Sequence, residues 1–233
     1  MKNIKLYKNV AIITAGGSGL RLSKSQKKQF IMINGRSILF RTIDTFSKLE
    51  EIQSIIVTLP KEELKYFKEN IENEFHKVKI ICGGKERNDS VYQALLQCPP
   101  NTDYVLIHDG VRPFVASNDI KKMLNLVIDK KALIPVSKVK YTLKLIENKK
   151  IVKTVPREKI YNAHTPQIFE YKLIFDCHKK LNNSLEKFTD DASLLEYFGI
   201  EVSTYEINDG NFKITDQYDL KIAKLLINSG ENI

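Results

Sequence analysis

Residues 10–21 read Val10-Ala11-Ile12-Ile13-Thr14-Ala15-Gly16-Gly17-Ser18-Gly19-Leu20-Arg21, an apolar, β-branched run that breaks at once into glycines and ends on a cation. A run of that kind suits a strand buried on both faces, the way strands of a parallel sheet read. Glycines placed directly after such a strand let backbone amides approach an anion and form a concave nest, and Arg21 with the downstream Lys28 brings positive charge to the same place. The stretch predicts an α/β sheet whose first loop meets a polyphosphate. A glycine-rich turn with no ligand is the plainer alternative. Two familiar nucleotide loops fail on spacing. Neither Gly16 nor Gly17 is followed by the Gly-Lys-Ser/Thr continuation of a Walker loop, and Leu22 occupies the third glycine position of a dinucleotide fingerprint.

Outward from this stretch, further β-branched runs recur at Ser54 to Leu59, Val78 to Cys82, Tyr104 to Ile107 and Ala132 to Val136. Between them Leu39, Ile43, Phe46 and Leu64, Phe67, Ile71 repeat at three- and four-residue spacing, giving helices with one apolar face. Strands alternating with such helices imply a mainly parallel sheet covered on both sides. The alternation breaks after Val136. Tyr141 to Ile146 and Ile151 to Thr154, separated by the polar turn Glu147 to Lys150, read as a hairpin. A hairpin has too little core to stand alone, so it either folds back on its own domain or projects to a second subunit. Helices near Tyr171 to Leu181 and Asp190 to Tyr197, a strand near Glu201 to Ile207 and a last helix capped by Asp216 complete the pattern.

The 233 residues suit one α/β domain, and 42% apolar with 28% charged side chains is an ordinary globular balance. A net charge of +9 suits a polyanionic ligand, but the lysines are dispersed and no basic block with interleaved aromatics marks a nucleic-acid groove. The three cysteines, Cys82, Cys98 and Cys177, stand far apart and predict neither a disulfide framework nor a zinc site. The apolar run near the start is shorter than the roughly seven residues of a secretory signal, and no run approaches the roughly twenty needed to cross a bilayer. A cytoplasmic protein is expected.

Two more clusters follow strands. Gly83-Gly84-Lys85-Glu86-Arg87-Asn88-Asp89-Ser90 leads into an amphipathic helix, whose free amides suit an anion, although Asp89 or Ser90 would serve equally as an N-cap. His108-Asp109-Gly110-Val111-Arg112-Pro113 offers a carboxylate for a hydroxyl or a metal, or else a structural Asp109–Arg112 ion pair, and His108 reads as a packed core residue. In a parallel sheet the three loops meet along one rim, where open α/β sheets bind ligands.

These clusters, together with Lys27-Lys28-Gln29-Phe30, Thr165-Pro166-Gln167, Thr189-Asp190-Asp191-Ala192-Ser193 and Phe212-Lys213-Ile214-Thr215, resemble the 2-C-methyl-D-erythritol 4-phosphate cytidylyltransferases and their siblings, the ribitol-5-phosphate cytidylyltransferases. The match runs in order from about residue 9 to about residue 228. The resemblance implies a Rossmann-like nucleotidyltransferase three-layer sandwich over residues 1–233, with a projecting β-hairpin arm at about 138–158 that forms a homodimer. It implies transfer of a cytidylyl group from CTP to a polyol phosphate with Mg²⁺, and neither nucleic-acid nor membrane partners.

Carried over by position, Ala15, Gly16, Gly17, Ser18 and Gly19 would hold the triphosphate with Arg21 and Lys28, while Gly83, Gly84 and Ser90 would frame the cytosine and ribose. Asp109 would lie between the sugars and the metal-bound phosphates, as a candidate ligand to an ion held mainly by the triphosphate. Arg21, Lys28 and Lys213 would be catalytic, with Lys213 facing the α-phosphate. Arg112, Thr142 and Arg157 would bind the polyol phosphate, the latter two from the arm into the neighbouring subunit. Lys85 replaces a commonly acidic residue, and His164 replaces the glutamine usual before Thr-Pro-Gln. Val111, Tyr161 and Arg87-Asn88-Asp89 lean toward the ribitol enzymes. Pro135-Val136, Val155 to Glu158 and Thr189 to Ser193 lean toward the methylerythritol enzymes, which the arm favours.

Overall fold

Each β-branched run becomes a strand. The computed structural model describes residues 7–17, 27–181, 188–208 and 210–230. In chain order it contains β1 (Asn9–Thr14), a short ribbon of β2 (Met32–Ile33) and β3 (Arg36–Ser37), α1 (Ile38–Ser47), β4 (Ser54–Leu59), α2 (Leu64–Glu74) and β5 (Val78–Cys82). There follow α3 (Arg87–Leu95), β6 (Tyr104–Asp109), α4 (Ser117–Lys130), β7 (Ala132–Lys138), β8 (Leu143–Glu147) and β9 (Lys150–Val155). The chain continues through β10 (Tyr161–Ala163), β11 (Gln167–Glu170), α5 (Tyr171–Lys180), α6 (Asp191–Tyr197), β12 (Ser203–Glu206) and α7 (Gln217–Ser229).

Among the described residues the main sheet has eight strands, ordered β5-β4-β1-β6-β11-β7-β10, with β12 also paired to β7. The pairs β5–β4, β4–β1, β1–β6 and β12–β7 are parallel, whereas β11 and β10 run antiparallel to their neighbours. Alternation along β1 explains the layering. Ala11 and Ile13 face a core shared with Leu39, Ile43 and Phe46 of α1, Ile71 of α2 and Ile120 to Val127 of α4. Val10 and Ile12 face the opposite core, with Val91 and Leu95 of α3, Ile174 of α5 and Leu194 of α6. Fully burying each such isoleucine or leucine contributes about 2 kcal/mol, so the two-sided burial that made these strands legible also holds the sandwich together.

The helices start and stop where local chemistry dictates. Ser37 Oγ caps α1 by accepting from the Phe40 amide, Asp216 caps α7 through the Tyr218 and Asp219 amides, and Gly230 closes α7 in the left-handed conformation. The expected hairpin is present as β8 and β9, which pair with each other in a sheet of their own. Its two-residue turn places Asn148 and Lys149 at φ 48° and 63°, the left-handed pair that a tight hairpin requires.

The register places the site. Thr14 lies beside both Thr58 and Asp109, and Leu59 lies beside Cys82, so β1, β4, β5 and β6 end on one rim. Past the strand ends the ladder continues through Ala15 N to Thr58 O at 3.0 Å, Gly83 N to Leu59 O at 2.8 Å and Gly110 N to Thr14 O at 2.9 Å. The three loops singled out in the sequence are therefore tethered to one another.

Candidate active site

The rim opens into a cleft of about 620 Å³, lined by Ala15, Gly16, Gly17, Lys27 and Lys28 from the first loop, Gly84 to Arg87 and Ser90 from the second, and Asp109, Val111 and Lys213 on the floor. That volume lies in the usual range for a small-molecule pocket.

Asp109 is the centre of charge. Its residue is 6% exposed, and its carboxylate lies 3.1 Å from Lys213 Nζ, 3.1 Å from Arg112 Nε and 3.5 Å from Arg87 Nε. Burial works to raise this carboxyl, but Lys213, Arg87 and Arg112 outweigh it and hold it well below the usual carboxylate range. Asp109 is thus an anion that keeps three cations together. Arg87 is itself pinned, with Nη2 at 2.8 Å from Asp191 Oδ2, on a fully buried carboxylate. Burial would lower the Arg87 guanidinium, yet Asp191 and Asp109 more than compensate and raise it. Asp191 owes its place to Gln167, whose Oε1 accepts from the Asp191 and Ala192 amides at 3.0 Å and whose Nε2 donates to Asp190 at 2.7 Å. The Thr-Pro-Gln and Thr-Asp-Asp-Ala-Ser segments, each weak as a motif, are one hydrogen-bonded support for Arg87.

The second glycine loop is built on Ser90. Its Oγ accepts from the Gly84 amide at 3.0 Å and donates to the Glu86 carbonyl at 3.1 Å. A Cβ on Gly84 would sit 2.2 Å from Asp89 Cβ, and one on Gly83 would sit 2.8 Å from Ser90 Oγ, so the close turn admits only glycine. The cap of α3 falls earlier than Asp89 or Ser90. Glu86 is the N-cap, Asp89 closes a capping box by accepting from the Glu86 amide, and Ser90 is buried inside the helix.

Lys28 lines the cleft, as expected. Its charge also reaches Asp219 on α7: burial works to raise that carboxyl, and bonds from Thr215 and Asp216 together with Lys28 hold it low. Gln29 Nε2 donates to the carbonyls of Ala15 at 2.8 Å and Gly17 at 3.1 Å, bracing the first loop from below. Lys27, which the sequence reading passed over, is bound to Glu62 and lies 3.3 Å from Glu63. Ser18, Gly19 and Arg21 lie outside the described residues.

Two expected residues, Gly83 and Arg112, do not line the cleft. Gly83 is not among the cleft-lining residues, because it packs beneath Ser90. Arg112 lies behind Asp109 rather than in the cleft, with Nη1 donating to the Asn211 carbonyl at 2.9 Å, so the structural ion pair with Asp109 exists as well. Thr142 and Arg157 are exposed on the arm, away from this cleft, and Arg157 donates to the Lys140 carbonyl. His108 is the packed core residue expected, bonded to Thr165 and the Arg112 carbonyl and set against Phe46. Sequence reading missed Arg87. Its signal was its place between Glu86 and Asp89 in the second loop, but nothing local foretold two carboxylates converging on it.

The sequence model of the 2-C-methyl-D-erythritol 4-phosphate cytidylyltransferase family matches residues 9–229. The enzyme of that name from Clostridium botulinum (strain Eklund 17B) is 40% identical over 221 residues, covering 94% of this chain and 98% of its own. That from Clostridioides difficile (strain 630) is 39% identical over 219 residues, covering 93% and 92%. The 4-diphosphocytidyl-2C-methyl-D-erythritol synthase structure from Anaerococcus prevotii superposes with a TM-score of 0.86 at 34% identity, over 97% of this chain and 98% of its own. The Francisella tularensis 2-C-methyl-D-erythritol 4-phosphate cytidylyltransferase structure gives 0.80 at 29% identity, over 94% and 99%. Matched by the family model over residues 9–229 and about 40% identical to relatives over nearly its whole length, the chain belongs to the 2-C-methyl-D-erythritol 4-phosphate cytidylyltransferase family.

Proposed function

We propose that this chain transfers CMP from CTP to 2-C-methyl-D-erythritol 4-phosphate, releasing pyrophosphate and a CDP-polyol. The observation that carries the reading is the ionised Asp109 with Lys213 and Arg87 beside it on the floor of a cleft walled by two glycine loops and Lys28, and with Arg112 bonded to it from behind. In the proposed reaction the amides of Gly16 and Gly17 bind triphosphate oxygens and Lys28 adds a cation to them, while the Ala15 amide stays bonded to the Thr58 carbonyl and fixes where the loop begins. Gly84 and Ser90 leave room for the flat base. The polyol phosphate oxygen attacks the α-phosphorus in line, and Lys213 and Lys28 stabilise the charge that spreads over the equatorial oxygens. Asp109 orients Lys213 toward that position. Arg21 is proposed to join them from the first loop.

A Mg²⁺ ion held mainly by the triphosphate would have Asp109 Oδ1 as its protein ligand, since Lys213 and Arg112 take Oδ2. Magnesium takes one or two carboxylates and completes its shell with substrate phosphates and water, and Asp109 is a buried, ionised carboxylate at the cleft floor. Asp109 and triphosphate oxygens would hold it, and it would supply neutralisation of the departing pyrophosphate.

The arm is proposed to pack on a second copy of the chain. β8 and β9 pair only with each other among the described residues, and the arm exposes Tyr141 at 82% and Ile151 at 64%, an apolar surface that two copies could bury. Thr142 and Arg157 would then serve the partner's cleft. Residues 1–233 act in this reading as one cytidylyltransferase domain in the cytoplasm, and no helix among the described residues is long and apolar enough to cross a membrane.

Pyrophosphate release from CTP and Mg²⁺, with 2-C-methyl-D-erythritol 4-phosphate or ribitol 5-phosphate as acceptor, tests the reading. Release with the methylerythritol substrate is expected. Release with ribitol 5-phosphate alone overturns the substrate, and release with neither overturns the reaction.

A further inference from the structure

His164 is 8% exposed and lies between β10 and β11, which run end to end along β7. Its amide donates to the Pro135 carbonyl at 2.9 Å, so the main chain of β7 sets the position of the ring. Nε2 is 2.8 Å from Ser137 Oγ, while Nδ1 is 3.2 Å from Arg112 Nη1 and 3.1 Å from the Asn211 carbonyl. Arg112 in turn donates from Nε to Asp109 at 3.1 Å. A guanidinium can only donate. Nδ1 thus meets both a donor, Arg112, and an acceptor, the Asn211 carbonyl: a ring that accepts from Arg112 carries its proton on Nε2 and makes Ser137 Oγ the acceptor, whereas a ring protonated on Nδ1 donates to Asn211.

We propose that His164 is a positioning residue for the reaction: its neutral ring accepts from Arg112, holds that guanidinium against Asp109, and links the cleft floor to Ser137 at the root of the arm. This rests on the cytidylyltransferase reading above. Protonation removes the Nδ1 lone pair and sets a second cation beside the guanidinium, where burial leaves little solvent to screen the repulsion. Arg112 is then driven off its bond, and Asp109 loses one of the cations that orient it. Among the described residues, groups that face the ring include the Arg112 guanidinium after β6, the Ser137 hydroxyl of β7 and the Asn211 carbonyl before α7, with Asp109 and Lys213 one step further through Arg112. Lys138, next along β7, pairs with Glu206 at 3.1 Å.

The test compares pyrophosphate release by the native chain, His164→Gln and His164→Leu between about pH 5 and about pH 9. A glutamine oxygen can accept from Arg112 and does not titrate, whereas leucine offers no acceptor. Native kcat is expected to fall about tenfold per pH unit on the acid side. The glutamine variant keeps the high-pH rate within about threefold and loses that acid limb, while the leucine variant is at least about tenfold slower throughout with KM for CTP unchanged. An acid limb in His164→Gln that coincides with the native one overturns the proposal. NMR titration of the His164 ring provides a second readout. Arg112→Gln removes a like charge and is expected to move the midpoint upward, and an unmoved midpoint also overturns the proposal. Because that titration needs no substrate, it decides the coupling even if the native chain releases no pyrophosphate, a result that would sink the cytidylyltransferase reading instead.

Discussion

Lys213 Nζ lies 3.1 Å from Asp109 Oδ2, although the two residues come from segments separated by half the sheet's connections. The contact is made by packing. Ile214, fully buried beside Val111, Ile38 and Leu220, bonds its amide to the Val111 carbonyl at 3.0 Å, and this lays the Phe212-Lys213-Ile214 strip along the floor of the cleft.

Asp109→Asn leaves Lys213, Arg87 and Arg112 facing one another without their shared anion. Turnover is expected to fall by about a hundredfold or more, with a loss of about 3 kcal/mol in stability, because one partner of a buried charge cluster has gone. Pyrophosphate release and urea unfolding measure the two effects, and a variant of native stability would show that the cations do not need the carboxylate.

Lys28→Ala removes a cation from the triphosphate without emptying the core. If it supplies about 3 kcal/mol in the transition state, kcat falls about a hundredfold, while stability falls by no more than about 1 kcal/mol from the lost attraction to Asp219. An unaltered kcat would remove Lys28 from the mechanism.

Gly84→Ala forces a Cβ to within 2.2 Å of Asp89 Cβ, so the loop must shift away from Ser90. Overpacking of that kind costs about 1–3 kcal/mol, and here it is expected to appear as a roughly tenfold or greater rise in Kd for CTP. Calorimetric titration with CTP checks it, native affinity being the contrary result.

His108 makes stability depend on pH. Burial pushes its imidazole down to about 4, against the bonds to the Arg112 carbonyl and Thr165 that favour the charged form. Since the folded chain holds this group below the ordinary value of about 6.5, its contribution is whole above that pH and declines as the pH falls toward 4, by about 3 kcal/mol. Asp109, held low, adds a further loss only below the ordinary carboxylate value of about 3.9. Urea midpoints across this range should fall from neutral pH downward, and His108→Asn should flatten the upper part of the curve.

Ile146→Asp with Ile151→Asp places charge on the exposed face of the arm. Sedimentation is expected to show a dimer for the native chain and a monomer for the variant, with turnover falling alongside. A native chain that is monomeric and fully active would end the role proposed for the arm.

Most of the fold was legible in advance. The β1 run from Val10 to Thr14, the Leu39-Ile43-Phe46 face of α1, the cap at Asp216 and the turn at Asn148-Lys149 all follow from preferences that act within a few residues of the chain. The meeting of three loops on one rim was also readable, because parallel strands must end on the same side. Which side chains meet there was not. Arg87 between Asp109 and Asp191, Arg112 drawn behind the cleft to Asn211, and His164 against Arg112 join segments far apart in the chain. Periodicity and capping are properties of neighbours along the backbone, whereas the partner of a buried charge is settled by how close packing brings distant segments within about 4 Å and removes the water between them.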